Sequence, residues 1–197
     1  MAATSKAVFT FDDGFVDGIA WMSCFRRPAT FFVSPGLVGN NLMPLYVIGG
    51  YEEEFRMTWK HLQKIKAMGG EIGCHGWMHE RYDQIDRGSA LTFLRHCDDE
   101  FGRWIGKRPD SFAFADHKPG HLDLVGQFYK HIRPIPATAK AMFLKKGAVE
   151  VFVWHKATDP DDLYGTTRTL IQKQAEFVTF GQACKDELIE PLAVERT

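Results

Sequence analysis

Residues 7–15, AVFTFDDGF, run from an apolar stretch straight into two adjacent carboxylates, Asp12 and Asp13, and then a glycine. An ordinary turn needs only one Asp to bond its own backbone, and neighbouring carboxylates repel. The plain reading is a charged turn leading into a helix; a sharper one needs support from the rest of the chain. Short β-rich apolar runs of the same kind recur as ATFFV (29–33), EIGCH (71–75), SFAFA (111–115), IRPIP (132–136), VEVFVWH (149–155) and EFVTF (176–180), giving seven strand candidates. Helical patterns lie between them. In TWKHLQKIKAMGG (58–70), Trp59, Leu62, Ile65 and Met68 share one face, with Thr58 as N-cap and glycines past the end. A second stripe, Leu91, Leu94, Cys97, Phe101, Trp104 and Ile105, starts from Ser89 as N-cap and stops at Gly106. Further helices are expected around 19–25, 122–129 and 162–174. Strands alternating with helices imply a parallel sheet covered by helices. The pattern leaves open whether that sheet is doubly wound or closed into a barrel, and in both the functional groups sit at the carboxyl ends of strands.

The 197 residues fit one domain, residues 1–197, with no repeat or internal linker. Hydrophobic residues make up 45% and charged residues 25%, as in ordinary globular proteins, while sixteen Phe and five Trp suit a tightly filled interior or a ring-binding cleft. A net charge of −1, with no basic cluster longer than a pair such as Lys145-Lys146, disfavours nucleic acid and anionic lipid as partners. Cys24, Cys74, Cys97 and Cys184 form no Cys-x-x-Cys pair and read as free, mostly buried thiols. No apolar run is long enough for a membrane span, and the first strand candidate begins at Ala7, so the chain as given reads as cytoplasmic. The connection from Gly36 to Met57 is long, carries Tyr46, Tyr51 and Glu52-Glu53-Glu54, and fits either a binding loop or a surface excursion.

His75 and His79, in CHGWMH, follow the third strand candidate, in the layer where Asp12 and Asp13 follow the first. Spaced i, i+4, they share one face of a helical turn and can hold one metal ion; two solvated histidines are the alternative. Two imidazoles and one carboxylate leave open positions for water and substrate. With a dication present, one Asp can ligate while its neighbour stays near the bound water as a base. His155 closes the sixth strand candidate in the same layer, with Val151 and Val153 on its face as an apolar wall. These groups together suit hydrolysis of a small acyl group. His61, His96, His117, His121 and His131 read as structural or surface groups.

The chain resembles the NodB-homology polysaccharide deacetylases, carbohydrate esterase family 4, through FTFDDGF, RRPATFFVSPGLVG, MTWKHLQKIKAMGGEIGCHGWMH, IGKRPDSFAF and EFVTFGQ, in that order. The resemblance implies an α/β fold, a distorted (β/α)7-type barrel, and removal of acetyl groups from sugars with a divalent metal. It implies Asp12 as general base, Asp13, His75 and His79 as metal ligands and His155 as general acid. Val153 falls in the acetyl-methyl niche, and Asp116 falls where a Tyr contributes its backbone N–H to the oxyanion hole. Trp77 and Trp154 are assigned with them to substrate binding. Cys74 stands beside the first ligand as a supporting or core thiol. Three departures stand out, one of them the lack of the family's Asp-x-x-Asp-Trp-like stretch that tunes the acid. After SFAF the chain has ADHKPG, with Ala115 and Asp116 in place of Pro and Tyr, and the arginine that orients the family's base has no evident counterpart. Asp159 and Asp161 are the nearest candidates to polarise His155.

The function expected is that of a metal-dependent hydrolase of a linear amide C–N bond. It removes acetyl from an N-acetylated sugar, with metal-bound water as nucleophile, and the substrate preferred is an intracellular lipid- or nucleotide-linked precursor. Zinc is the first choice of metal, with cobalt, nickel, manganese and iron as alternatives. The rival readings are hydrolysis of another acyl group or a non-sugar amide, and a carbohydrate-binding member without activity. Oligomeric state is not legible.

Overall fold

The computed structural model describes residues 6–39, 56–133, 142–144, 149–154 and 160–186. β1 (Lys6–Phe11) is the central strand. It pairs in parallel with β7 (Val149–Trp154) along its whole length, with β8 (Glu176–Val178) over Lys6–Val8, and with β2 (Thr30–Val33) at Thr10 and Phe11. From β2 the parallel ladder continues through β3 (Glu71–Cys74), β4 (Ser111–Phe112) and β5 (His131–Ile132). β6 (Met142–Leu144) pairs antiparallel with β7. Among the described residues the two ends of the ladder, β5 and β6, do not pair, so the sheet is a curled half-barrel, consistent with the distorted barrel. All seven strand candidates contribute a strand, and β6 is an addition that no periodicity marked.

The period of two along β1 divides its residues between two environments. Ala7, Phe9 and Phe11 face the helical layer and belong to the main core. Phe9 stacks on Trp21 of α1 (Asp17–Phe25), on Phe152 and on Phe177, at 4.8, 4.9 and 5.6 Å between centroids. The Trp21 indole donates to Thr167 Oγ1 of α5 (Pro160–Gln172) at 2.8 Å, so its one polar atom is satisfied in the core. Val8 faces the barrel interior with Phe32, Ala113, Val151 and Val178. Gly73 of β3 makes room for this inner cluster, because a Cβ there would lie 2.5 Å from the Phe32 ring.

α6 (Phe180–Lys185) closes the amino-terminal end of the barrel with Phe180, Ala183 and Cys184. Thr179 caps it, Thr30 Oγ1 accepts the Phe180 amide, and Glu71 Oε2 accepts the Gly181 amide. EFVTF therefore splits into a three-residue strand and a helix start. In α2 (Trp59–Ala67), Thr58 and His61 form the reciprocal capping box, which gives His61 a local role. α3 (Arg87–Ile105) starts before Ser89: the Asp86 carboxylate accepts the Gly88 and Ser89 amides and is the true cap. Trp104 is 45% exposed and stacks on Trp59. α4 (Leu122–Phe128) lies where a helix was expected.

Cys24 is exposed and Cys74, Cys97 and Cys184 are buried, all as free thiols. Residues 40–55 of the long connection, Lys145-Lys146, His155 and Asp159 lie outside the described residues. Among those described, no helix is long and apolar enough to cross a membrane.

Because Phe9 is fully buried between three rings, Phe9→Ala should lower unfolding free energy by about 3–5 kcal/mol, read from the denaturant midpoint. A loss well under 1 kcal/mol would mean that the stack is not central to the core.

Candidate metal centre

β1 delivers Asp12 to the carboxyl-terminal mouth of the barrel. Its amide donates to the Trp154 carbonyl at 2.7 Å, extending the β1–β7 ladder by one bond, and its side chain is 1% exposed. The following residue turns sharply: Asp13 has φ 67° and Gly14 φ 73°. Two successive left-handed residues break the strand, and glycine takes the second without a Cβ penalty. The kink sends the two carboxylates to different partners. Asp12 is gripped by Arg133, Nη1 to Oδ1 at 2.7 Å and Nη2 to Oδ2 at 2.6 Å. Asp13 Oδ1 instead lies 3.4 Å from His75 Nε2 and 3.0 Å from His79 Nε2. The repulsion expected of adjacent carboxylates is thereby removed.

His75 follows β3, with its amide on the Val33 carbonyl and its Nδ1 2.8 Å from the Ala113 carbonyl. A carbonyl only accepts, so Nδ1 carries the hydrogen and Nε2 is left as the free donor of a lone pair. That Nε2 and Asp13 Oδ1 are both buried without a hydrogen-bond partner. Two lone pairs facing each other out of water need a proton or a cation between them.

His79 approaches from a loop, whereas a helical turn was expected. Gly76 and His79 have φ 81° and 62°, and the Glu80 carboxylate accepts the Trp77 and Met78 amides at 2.8 and 2.6 Å. The spacing thus brings the two imidazoles together, 5.0 Å between centroids, through a carboxylate-clasped loop.

The ligand atoms of Asp13, His75 and His79 all lie within 4.8 Å of one another. Two imidazole nitrogens, one carboxylate oxygen and an orphaned buried acceptor pair fit a divalent cation with open positions. The charges are already poised for one. Burial opposes ionisation of Asp13, but the adjacent imidazoles of His75 and His79 outweigh that and hold it well below the usual carboxylate range. Burial likewise opposes protonation of His75; the neighbouring carboxylates of Asp13 and Asp12 overcome it and raise the imidazole above 6.5, against Arg133.

Of the other expected site residues, Val153 is buried in register with Thr10, one step below Asp12. Trp154 is half-buried with its indole Nε1 unpartnered among the described residues. Trp77 is half-buried, edge-on to His96. Asp116 is exposed, with φ 51°, on the loop after β4. Asp161 is exposed at the start of α5. Cys74 is fully buried in the main core.

Sequence reasoning missed two arginines. Arg133, the residue after β5, grips the Asp12 carboxylate, where the sequence showed no evident counterpart to the family's arginine. The available signal was a cation as the second residue of IRPIP, an otherwise apolar strand candidate. Arg56 donates from Nη1 to the Asp13 carbonyl at 2.6 Å; nothing in the sequence pattern marks it. A separate pocket of about 280 Å³ lies at the opposite end of the strands, bordered by Glu71, Asp110, His131 and Lys185, away from this cluster.

The chain belongs to the polysaccharide deacetylase family, whose model matches residues 2–117, a stretch that includes Asp12, Asp13, His75 and His79. Among solved structures, it is similar to the peptidoglycan deacetylase PdaC of Bacillus subtilis, at 16% identity over 94% of this chain and 92% of that one, TM-score 0.68. A family 4 acetyl xylan esterase of Clostridium thermocellum in complex with a cobalt ion is similar at 16% identity, over 94% and 93%, TM-score 0.67. A mutant family 4 pseudoenzyme with restored activity is similar at 11% identity, over 92% and 68%, TM-score 0.66. At these identities the likeness bears on the fold. No curated protein matches the chain.

The two shifted groups fix a pH dependence for the chelator-stripped protein. Asp13, with its pKa depressed, contributes stability that is present above about 3.9 and lost as pH falls through the lower folded value. His75, raised, contributes fully below 6.5 and loses that contribution as pH rises through its folded value. Melting temperature without metal should therefore fall as pH climbs from 6.5, and the increment from added zinc should grow over the same range. A zinc increment that shrinks with rising pH would contradict the assignment.

Proposed function

We propose that the protein is a divalent-metal-dependent deacetylase that hydrolyses the acetamide of an N-acetylated amino sugar. Asp13, His75 and His79 hold the cation, zinc being the first choice; Asp12 is the base and His155 the acid. The observation that carries this reading is the convergence of the three ligand atoms within 4.8 Å beside a separately anchored second carboxylate. A cation bound there would polarise the acyl carbonyl and lower the pKa of a water.

The protein's own groups supply the proton transfers. Asp12 accepts a proton as the water oxygen bonds to the acyl carbon, and its bidentate pair with Arg133 holds the carboxylate aimed. The C–N bond then breaks, releasing acetate and an amine. His155, assigned by the family's pattern, gives the amine its proton; it directly follows Trp154, whose carbonyl accepts the Asp12 amide. Val153 lines the acetyl-methyl niche, the backbone amide of Asp116 serves the oxyanion, and Trp77 and Trp154 border the sugar. The non-catalytic reading drew on the absent arginine and proline; Arg133 beside Asp12 weakens the first ground, while Ala115 still stands in the proline's place.

The test is acetate release from a panel of N-acetylhexosamines and short oligomers, with and without chelator. Chelation should abolish release. Asp12→Asn should lower turnover by about 10²–10⁴-fold while the protein keeps one equivalent of metal. Undiminished turnover in Asp12→Asn would remove Asp12 as the base.

A further inference from the structure

Arg56 lies next to the candidate metal centre and has no part in the scheme above. It is 5% exposed, its guanidinium carbon sits 5.2 Å from the Phe15 ring centroid, and its Nη1 donates to the Asp13 carbonyl at 2.6 Å. We propose that Arg56 is a positioning residue for Asp13: its side chain pins the main chain of that residue in the left-handed conformation that turns the carboxylate toward His75 and His79. The proposal rests on the metal reading of Asp13, His75 and His79.

Asp13 is the costly position in the turn. Gly14 takes its positive φ freely, whereas a residue with a Cβ does so under strain and relaxes unless something holds it. The hold comes from a different segment of the chain and acts on one atom of the ligand residue. The backbone of that segment already fastens the rest of the turn: Phe15 and Arg56 form an antiparallel bridge, and the Met57 amide donates to the Gly14 carbonyl at 2.8 Å. Removing the guanidinium therefore leaves these backbone contacts between the two segments in place and releases the Asp13 carbonyl. Planar, charge-assisted donation at this distance suits arginine, and the shorter ammonium of lysine reproduces it only in part.

The experiment titrates cobalt(II) into chelator-stripped wild type, Arg56→Met and Arg56→Lys. It reads affinity by chelator competition, the visible ligand-field bands of the bound ion, and the melting temperature of each protein. Arg56→Met should bind cobalt about 10–100-fold more weakly with shifted bands, and Arg56→Lys should recover part of both. Wild-type affinity and bands in Arg56→Met, or a lowered melting temperature with unaltered bands, would overturn the positioning role and leave the metal reading intact. Should Arg56→Met fail to fold, Arg56→Lys decides: affinity and bands equal to wild type would overturn the proposal. No cobalt bound by wild type would refute the metal reading and this proposal with it.

Discussion

The buried pair of Asp12 and Arg133 ties the chemistry of this protein to the shape of its sheet. Asp12 leaves β1 and Arg133 leaves β5, four ladder steps apart along β1-β2-β3-β4-β5. In a flat sheet four steps amount to about 19 Å, beyond what the two side chains can bridge. Their contacts at 2.6 and 2.7 Å require both to project into the concave side of a curled sheet. A carboxylate 1% exposed stays charged only with such a partner, and losing the partner would leave an uncompensated charge in the interior. Arg133 also lies over the Phe32 ring at 4.8 Å and donates to Thr10 Oγ1, so the pair rests directly on the inner cluster of the barrel.

β1 divides the labour of the fold by strict alternation. Its odd-numbered residues join the aromatic stack under the helices, and its even-numbered residues descend the barrel from the apolar Val8 through Thr10 to the charged Asp12. Alternation alone would then send Asp13 toward the helical layer, where a carboxylate has no partner. The left-handed kink at Asp13 and Gly14 overrides the pleat and keeps both acids at the mouth. Arg56 on the Asp13 carbonyl and Glu80 on the Trp77 and Met78 amides share one arrangement: a charged side chain bonds the backbone of an irregular loop that carries a candidate ligand.

Local pattern carried much of this into the sequence. The seven apolar runs, the Thr58 cap and the placement of Asp12, Asp13, His75 and His79 in one layer follow from periodicity and turn chemistry, which act over a few residues. What escaped depends on long-range contacts. Arg133 meets Asp12 across 121 residues, and Arg56 reaches Asp13 across 43. The start of α6 was hidden at the end of a run that reads as strand, because Phe180 is apolar for a tertiary reason, plugging the barrel end with Ala183. His75 and His79 converge as expected, but through a loop set by Glu80, which spacing cannot distinguish from a helical turn.

The central claim is that Asp13, His75 and His79 form the metal site. X-ray absorption at the zinc edge of the stoichiometrically loaded protein tests it most directly. The account predicts a shell of light atoms only, at about 2.0–2.1 Å, with the outer-shell scattering of two imidazoles. Sulfur at about 2.3 Å, which would bring in Cys74 or another thiol, or the absence of imidazole scattering, would contradict it.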